Sequence, residues 1–216
     1  MTGLLITLEG IEGSGKSTQA ALLRDTLISE RIPVCLTREP GGSPLAERVR
    51  ELLLRRGEEP LVPGAELLLF LAARAQHVAR TIRPALDRGE VVVCDRFTDA
   101  TVAYQGGGRT IPEAFLTSLN DWATGGIKPA RTYLLDVPVD VGLERAKKRT
   151  EASPDRIETE SRAFFEAVRA RYLDIARREP ERMMVLRGTD PEESLAHQIR
   201  DDVHRILSGR TPNVQR

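Results

Sequence analysis

The chain has 216 residues, 40% hydrophobic and 30% charged, and Lys+Arg and Asp+Glu both number 32, so the formal net charge is zero. That length suits one domain with a real core. A neutral balance argues against a protein that coats nucleic acid or an anionic membrane, and no apolar stretch approaches the roughly 18–20 residues that span a bilayer.

Leu4 to Glu9 is a short apolar run with no basic region before it, which predicts a strand and not a signal peptide. A glycine-rich turn follows. Ser17 to Glu30 has helical spacing, with Ala20, Leu23, Leu27 and Ile28 on one side. Pro33 to Thr37 predicts a second strand, and Pro44 to Gly89 reads as helical with no strand. Glu90 to Asp95 holds Val91, Val92, Val93 and Cys94 in succession, and Thr132 to Val137 and Met183 to Leu186 complete five strand candidates. Continuous apolar runs, unlike alternating ones, suit parallel strands covered on both faces. With helices between them they predict an α/β, doubly wound sheet. Lys147 to Arg156 is polar, contains Pro154 and predicts a loop between two helices, and the tail 209–216 has no apolar periodicity and predicts disorder. Cys35 and Cys94, each flanked by apolar residues, read as buried free thiols in a reducing cytoplasm.

The turn after the first strand, Gly10-Ile11-Glu12-Gly13-Ser14-Gly15-Lys16-Ser17, matches the P-loop pattern at every fixed position, with a strand entering and a helix leaving. Its glycines let backbone N–H groups turn toward phosphate oxygens, and the helix adds its positive N-terminal end. Lys16 is placed to reach the β- and γ-phosphates of a nucleoside triphosphate and Ser17 to ligate Mg²⁺. No N-K-x-D string for guanine occurs. The third strand ends Cys94-Asp95-Arg96. Asp95 can hold Mg²⁺ through water, and an arginine after it suits a second anion beside the γ-phosphate. That points to transfer onto a phosphorylated acceptor. A strand-end salt bridge is the plainer reading of this pair.

Thr37-Arg38-Glu39-Pro40-Gly41-Gly42, Asp95-Arg96-Phe97, Tyr104-Gln105-Gly106-Gly107-Gly108 and Asp155-Arg156-Ile157-Glu158 follow the P-loop in this order. Together they resemble bacterial thymidylate kinases, from about Leu4 to Leu207. The resemblance implies a three-layer P-loop kinase fold, a five-stranded parallel sheet flanked by helices, in one domain over 1–208 with a mobile lid at about 145–157. It implies transfer of the γ-phosphoryl group of ATP to thymidine 5′-monophosphate with Mg²⁺, in a cytoplasmic homodimer. Gly10 to Thr18 would hold ATP, and Ser17 and Asp95 the metal. Arg38 and Arg96 match the clamps on the acceptor phosphate, where paired guanidinium donors do what lysine does not. Phe70 and Arg74, four apart on one helical face, match a base pocket of stacking ring and carbonyl donor. Without the resemblance, Phe70 among leucines reads as core. Thr101 matches a base contact and Tyr104 a position under the sugar. Gln105 is either a base contact or a brace. Glu12 matches an acidic position that contacts the 3′-hydroxyl or the metal. Gly13 stands where some relatives carry a catalytic arginine, so that charge should come from the lid: Arg149, with Lys147 and Lys148 as alternatives. Arg156 is either a phosphate contact or a brace. Arg187-Gly188-Thr189 should neighbour the adenine, with Arg145 stacked on it. Phe97 departs from the tyrosine or histidine of many relatives, and the Glu39–Pro40 bond is expected cis. The rival readings are a kinase of another nucleoside monophosphate and a P-loop nucleotide switch without an acceptor, which has no need of Arg38 and Arg96.

Overall fold

The computed structural model describes residues 3–57, 59–149 and 155–209, and of Arg149 the backbone alone. Five strands form one parallel sheet: β1 (Leu4–Glu9), β2 (Val34–Arg38), β3 (Val91–Asp95), β4 (Arg131–Asp136) and β5 (Met183–Arg187), in the order β2-β3-β1-β4-β5. The register pairs Leu4 with Val91 and Leu8 with Asp95, so β1 and β3 end side by side. The central strands are buried almost throughout and the edge strands β2 and β5 only in part. This is why the continuous apolar runs marked the centre of the sheet most clearly.

Helices cover both faces. Ile6, Leu8, Tyr133 and Leu135 point to one side, against α1 (Lys16–Ser29) and α9 (Glu192–Leu207) through Leu23, Leu27, Leu195 and Ile199. On the other side Leu134 and Val137 meet α8 (Arg162–Arg178) through Phe165, Val168 and Tyr172, and Val92 and Cys94 meet Val78 and Ile82. Burying each such large side chain stabilises the fold by about 1.5–3 kcal/mol.

Between β2 and β3 the chain is helical, as expected: α2 (Pro44–Leu54), α3 (Pro63–His77), a π-helical stretch Val78–Ile82 and α4 (Arg83–Asp87). Ser43 caps α2 by accepting the Ala46 N–H at 3.4 Å, with Pro44 in the first turn. After β3 come α5 (Thr98–Thr101), a π-helical stretch Val102–Gly108 and α6 (Glu113–Thr124), which Gly125 ends in a left-handed cap. α7 (Val139–Arg149) runs into the segment expected as a loop: Lys147, Lys148 and Arg149 are helical. Glu144 and Lys148 pair one turn apart at 2.6 Å, which supports that extra turn. Residues 150–154 and 210–216, which hold the middle of the expected loop and nearly all of the expected disordered tail, lie outside the described residues. Cys94 is buried, but Cys35, on the edge strand, is only half-buried.

Candidate active site

The P-loop joins the C-terminal end of β1 to α1, at the sheet edge where parallel α/β folds bind ligands. Lys16 folds back over its own loop and donates to the Ile11 carbonyl at 2.7 Å and to Ser14 Oγ at 3.2 Å. Burial and the neighbouring Arg96 charge lower its ammonium to about 8, against the opposing pull of Asp95, Glu12 and Glu9. Ser17 Oγ donates to Asp95 Oδ2 at 2.5 Å, which ties the first turn of α1 to the end of β3. Thr18 is exposed on the next position of α1, and Ile11 turns its side chain into the core. Gly13 has φ 69°, and a Cβ there would lie 2.0 Å from the Gly142 carbonyl oxygen. The loop therefore packs its backbone directly on α7, and an arginine at this position would not fit.

Arg96 follows β3 with φ 70°, in the left-handed region that a side chain rarely adopts. Its Nη2 donates to Glu12 Oε1 at 2.9 Å and its Nη1 to the Gly10 carbonyl at 2.9 Å. Its guanidinium lies 4.8 Å over the Tyr104 ring, and the Tyr104 hydroxyl contacts both Glu12 oxygens, at 2.9 and 2.7 Å. Glu12, Arg96 and Tyr104 thus form one charged cluster on the flank of the P-loop. The pair read in the sequence as a strand-end salt bridge is divided: Asp95 turns to Ser17, and Arg96 to Glu12.

A cavity of about 450 Å³ opens beside this cluster. Its walls include Glu12, Lys16, Ser17, Asp95 and Arg96, and also Arg38, Phe70, Arg74, Thr101, Tyr104 and Gln105. Phe70 is half-buried and faces the cavity, so it is not the plain core residue that its leucine neighbours suggested. Arg74 is almost wholly buried. It donates through Nε to Glu39 at 2.7 Å, through Nη1 to Thr101 Oγ1 at 2.7 Å and Asn120 Oδ1 at 2.5 Å, and through Nη2 to the Phe97 carbonyl at 2.9 Å. Glu39 also bonds His77 Nδ1 at 3.0 Å, and although burial opposes its charge, Arg74 and His77 hold its carboxyl below the usual range. The Glu39–Pro40 bond is cis, as expected. Phe97 is fully buried with the Arg74 guanidinium 5.5 Å over its ring, an apolar setting in which a phenylalanine is at home.

Gln105 Nε2 donates to Glu66 at 3.0 Å, the bond of a brace, and the residue also lines the cavity, where a base contact would need it. Arg156 is likewise a brace, donating to the Leu53 carbonyl at 2.8 Å and pairing with Glu66 at 2.7 Å. Arg38 pairs with Glu47 at 2.9 Å near the cavity mouth. Arg145 Nη1 donates to the Gly188 carbonyl at 2.8 Å, which brings α7 and the loop after β5 together. The Arg149 side chain lies outside the described residues.

Sequence reasoning missed Arg50, whose Nη1 donates to the Pro40 carbonyl at 2.8 Å and which lines the same cavity. It sits on α2 among other charged residues, and nothing in its local pattern marks it. Asn120 and Tyr172, on α6 and α8, were missed for the same reason, whereas Glu9 was read only as the end of the first strand and a brace for the loop after it.

The comparisons agree with this geometry. A sequence model described as thymidylate kinase matches residues 8–199. A thymidylate kinase of Pseudomonas fluorescens is 56% identical over 197 residues, 91% of each chain, and one of Pseudomonas putida is 52% identical over 209 residues, 97% of each. The crystal structure of thymidylate kinase from Ehrlichia chaffeensis superposes with a TM-score of 0.72 at 34% identity, covering 96% of this chain and 99% of that one. With likeness of this extent in sequence and in fold, the chain belongs to the thymidylate kinase family.

Proposed function

We propose that the cavity beside Arg96 holds thymidine 5′-monophosphate and that the P-loop, Thr18 and Arg145 hold ATP next to it. The enzyme transfers the γ-phosphoryl group of ATP to thymidine 5′-monophosphate, giving the diphosphate and ADP for dTTP synthesis. The nucleophile is a phosphate oxygen whose second pKa is about 6, so it is already anionic at neutral pH and no general base is needed. Catalysis is then positioning and neutralisation of like charges. The observation that carries the reading is the shared wall: Lys16, Asp95 and Arg96 line the same cavity as Phe70 and Arg74.

In this reading Arg38 and Arg96, joined by Arg50, grip the acceptor phosphate. Phe70 stacks on the pyrimidine. Four of the five Arg74 donors are bound inside the protein, which leaves one N–H on Nη2 for a ring carbonyl. Thr101 touches the base, and Tyr104 and Glu12 meet the sugar. Ser17 and Asp95 are hard oxygen donors 2.5 Å apart, a set that fits Mg²⁺. The ion, bound there with the ATP phosphates, supplies positive charge for the transferring group. Gly13 has no room for a side chain, so the further cation comes from the lid, 145–157, with Arg149 first and Lys147 and Lys148 as alternatives. The catalytic unit spans 1–208, works in the cytoplasm and pairs as a homodimer.

A coupled assay over a panel of nucleoside monophosphates tests the assignment. Thymidine 5′-monophosphate should exceed CMP and AMP, whose bases carry an amino group where thymine has a carbonyl, by about 100-fold or more in kcat/KM, because a buried donor is then left unpaired, and UMP, which keeps the carbonyls but lacks the methyl group, by about tenfold or more. A preference for any of the others would defeat it.

A further inference from the structure

Glu9 closes β1 and is fully buried, and it does not line the cavity. Both of its oxygens are engaged. Oε1 accepts the Phe97 N–H at 2.7 Å, and Oε2 accepts the Tyr172 hydroxyl at 2.7 Å. The Tyr172 oxygen in turn accepts Arg96 Nη1 at 3.4 Å. One carboxyl therefore reaches Arg96 from two sides: through the peptide that follows it, and through a tyrosine against its guanidinium. Arg96 needs such support, because its φ of 70° is held only if the surroundings over-determine it. Its own N–H donates to the Leu8 carbonyl, and the next N–H, of Phe97, goes to Glu9. We propose that Glu9, acting with Tyr172, is the positioning residue for Arg96: it fixes the left-handed turn that aims this arginine into the acceptor cavity.

The inference rests on the reading of Arg96 as the clamp on the acceptor phosphate. Burial, with the charge of Asp99 behind it, pushes the Glu9 carboxyl up to about 8. A carboxyl in so unfavourable a place, bound to no substrate, holds something that matters. At neutral pH it is largely protonated, and a proton on Oε2 reverses the bond to Tyr172, so that the carboxyl donates to the hydroxyl oxygen; glutamine is then a close stand-in, its oxygen accepting the Phe97 N–H and its amide donating to Tyr172.

The test is steady-state kinetics of the full-length enzyme in both substrates, with melting temperatures, for Glu9→Ala, Glu9→Gln, Tyr172→Phe, Arg96→Ala and the Glu9→Ala/Arg96→Ala pair. Glu9→Ala should raise KM for thymidine 5′-monophosphate by about tenfold or more and lower kcat, with KM for ATP within about twofold. Glu9→Gln should stay within about threefold of the parent, and Tyr172→Phe should fall between the two. Adding Glu9→Ala to Arg96→Ala should cost nothing further, since both remove the same interaction. A lower melting temperature with unchanged KM values, equal rises in both KM values, or additive losses in the pair would each overturn the proposal. If Glu9→Ala does not fold, an unchanged KM for thymidine 5′-monophosphate in Tyr172→Phe overturns it instead. If Arg96→Ala leaves that KM unchanged, the clamp reading itself fails and this inference with it. That outcome differs from an effect of Arg96→Ala without one of Glu9→Ala.

Discussion

Arg74 shows how the site is built residue by residue. Its fork is bound inside the protein by Glu39, Thr101, Asn120 and the Phe97 carbonyl. A donor held in this way loses little freedom on binding. Glu9 carries the same principle to the opposite extreme, since its burial opposes its own charge. Its carboxyl is raised from 4.5 to about 8 by burial and by Asp99, against the pull of Tyr172, Arg96 and the Phe97 N–H. Lys16, held near the same charges, is depressed by burial and by Arg96. The sign for Glu9 follows from linkage: the folded state binds this proton more tightly than the unfolded one. Its contribution to stability is therefore fully present below pH 4.5, declines as pH rises to about 8 and is flat above. Glu9→Gln removes the titration. Urea unfolding of parent and variant over this range should give curves that separate in favour of the variant between pH 4.5 and about 8 and run parallel above it. Parallel curves throughout would show that Glu9 is not raised.

At the scale of elements, the sequence located the strands well because three of them have almost nothing but buried positions. Apolar runs of that kind have few other uses. The P-loop was legible for a related reason: its glycines and Lys16 act within one turn of the chain. The pairing of Tyr172 with Glu9 was not legible, because they stand 163 residues apart and only the fold brings them together. Arg50 and Asn120 have ordinary helical neighbours and take their roles from what faces them. The loop expected from Lys147 to Arg156 was misread at its start, where Lys147 to Arg149 extend α7 and do not leave it. That extension bears on the proposed mechanism, since the backbone that carries Lys147, Lys148 and Arg149 is helical. Arg149→Ala should lower kcat by roughly 10³ while KM for thymidine 5′-monophosphate stays near the parent value, if the arginine has its proposed role on the transferring group. Single-turnover kinetics with both substrates saturating is the check. Lys147→Ala and Lys148→Ala should keep most activity, and near-normal turnover in Arg149→Ala would move the role to one of those lysines.

For the whole molecule, the face between Leu67 and Leu86 divides in a way that bears on assembly. Leu67, Leu71, Val78, Ile82 and Ala85 are core, so most of that apolar stretch is not available to a partner. On the packed pair α3 and α6, however, Leu68, Phe115 and Trp122 remain 65%, 54% and 80% exposed. A tryptophan left so open on a chain of zero net charge favours association, and aromatic residues are the usual anchors of protein interfaces. A stable interface of this kind buries about 800 Å² on each partner. If it forms a two-fold homodimer, Trp122 meets its own copy's surface, and one substitution acts twice. Trp122→Glu should cost the monomer little, since surface changes are usually within about 0.5 kcal/mol. It should weaken self-association by about 100-fold or more, because it places a charge in each half of the contact. Sedimentation velocity across a dilution series should then show the parent as a dimer and the variant as a monomer with an unchanged melting temperature at high dilution. A parent that sediments as a monomer, or a variant that remains a dimer, would place the exposed aromatic residues outside any such interface. Because Phe70 and Arg74 lie on the same helix as Leu68, loss of the dimer should reach the acceptor site through α3 and raise KM for thymidine 5′-monophosphate more than KM for ATP.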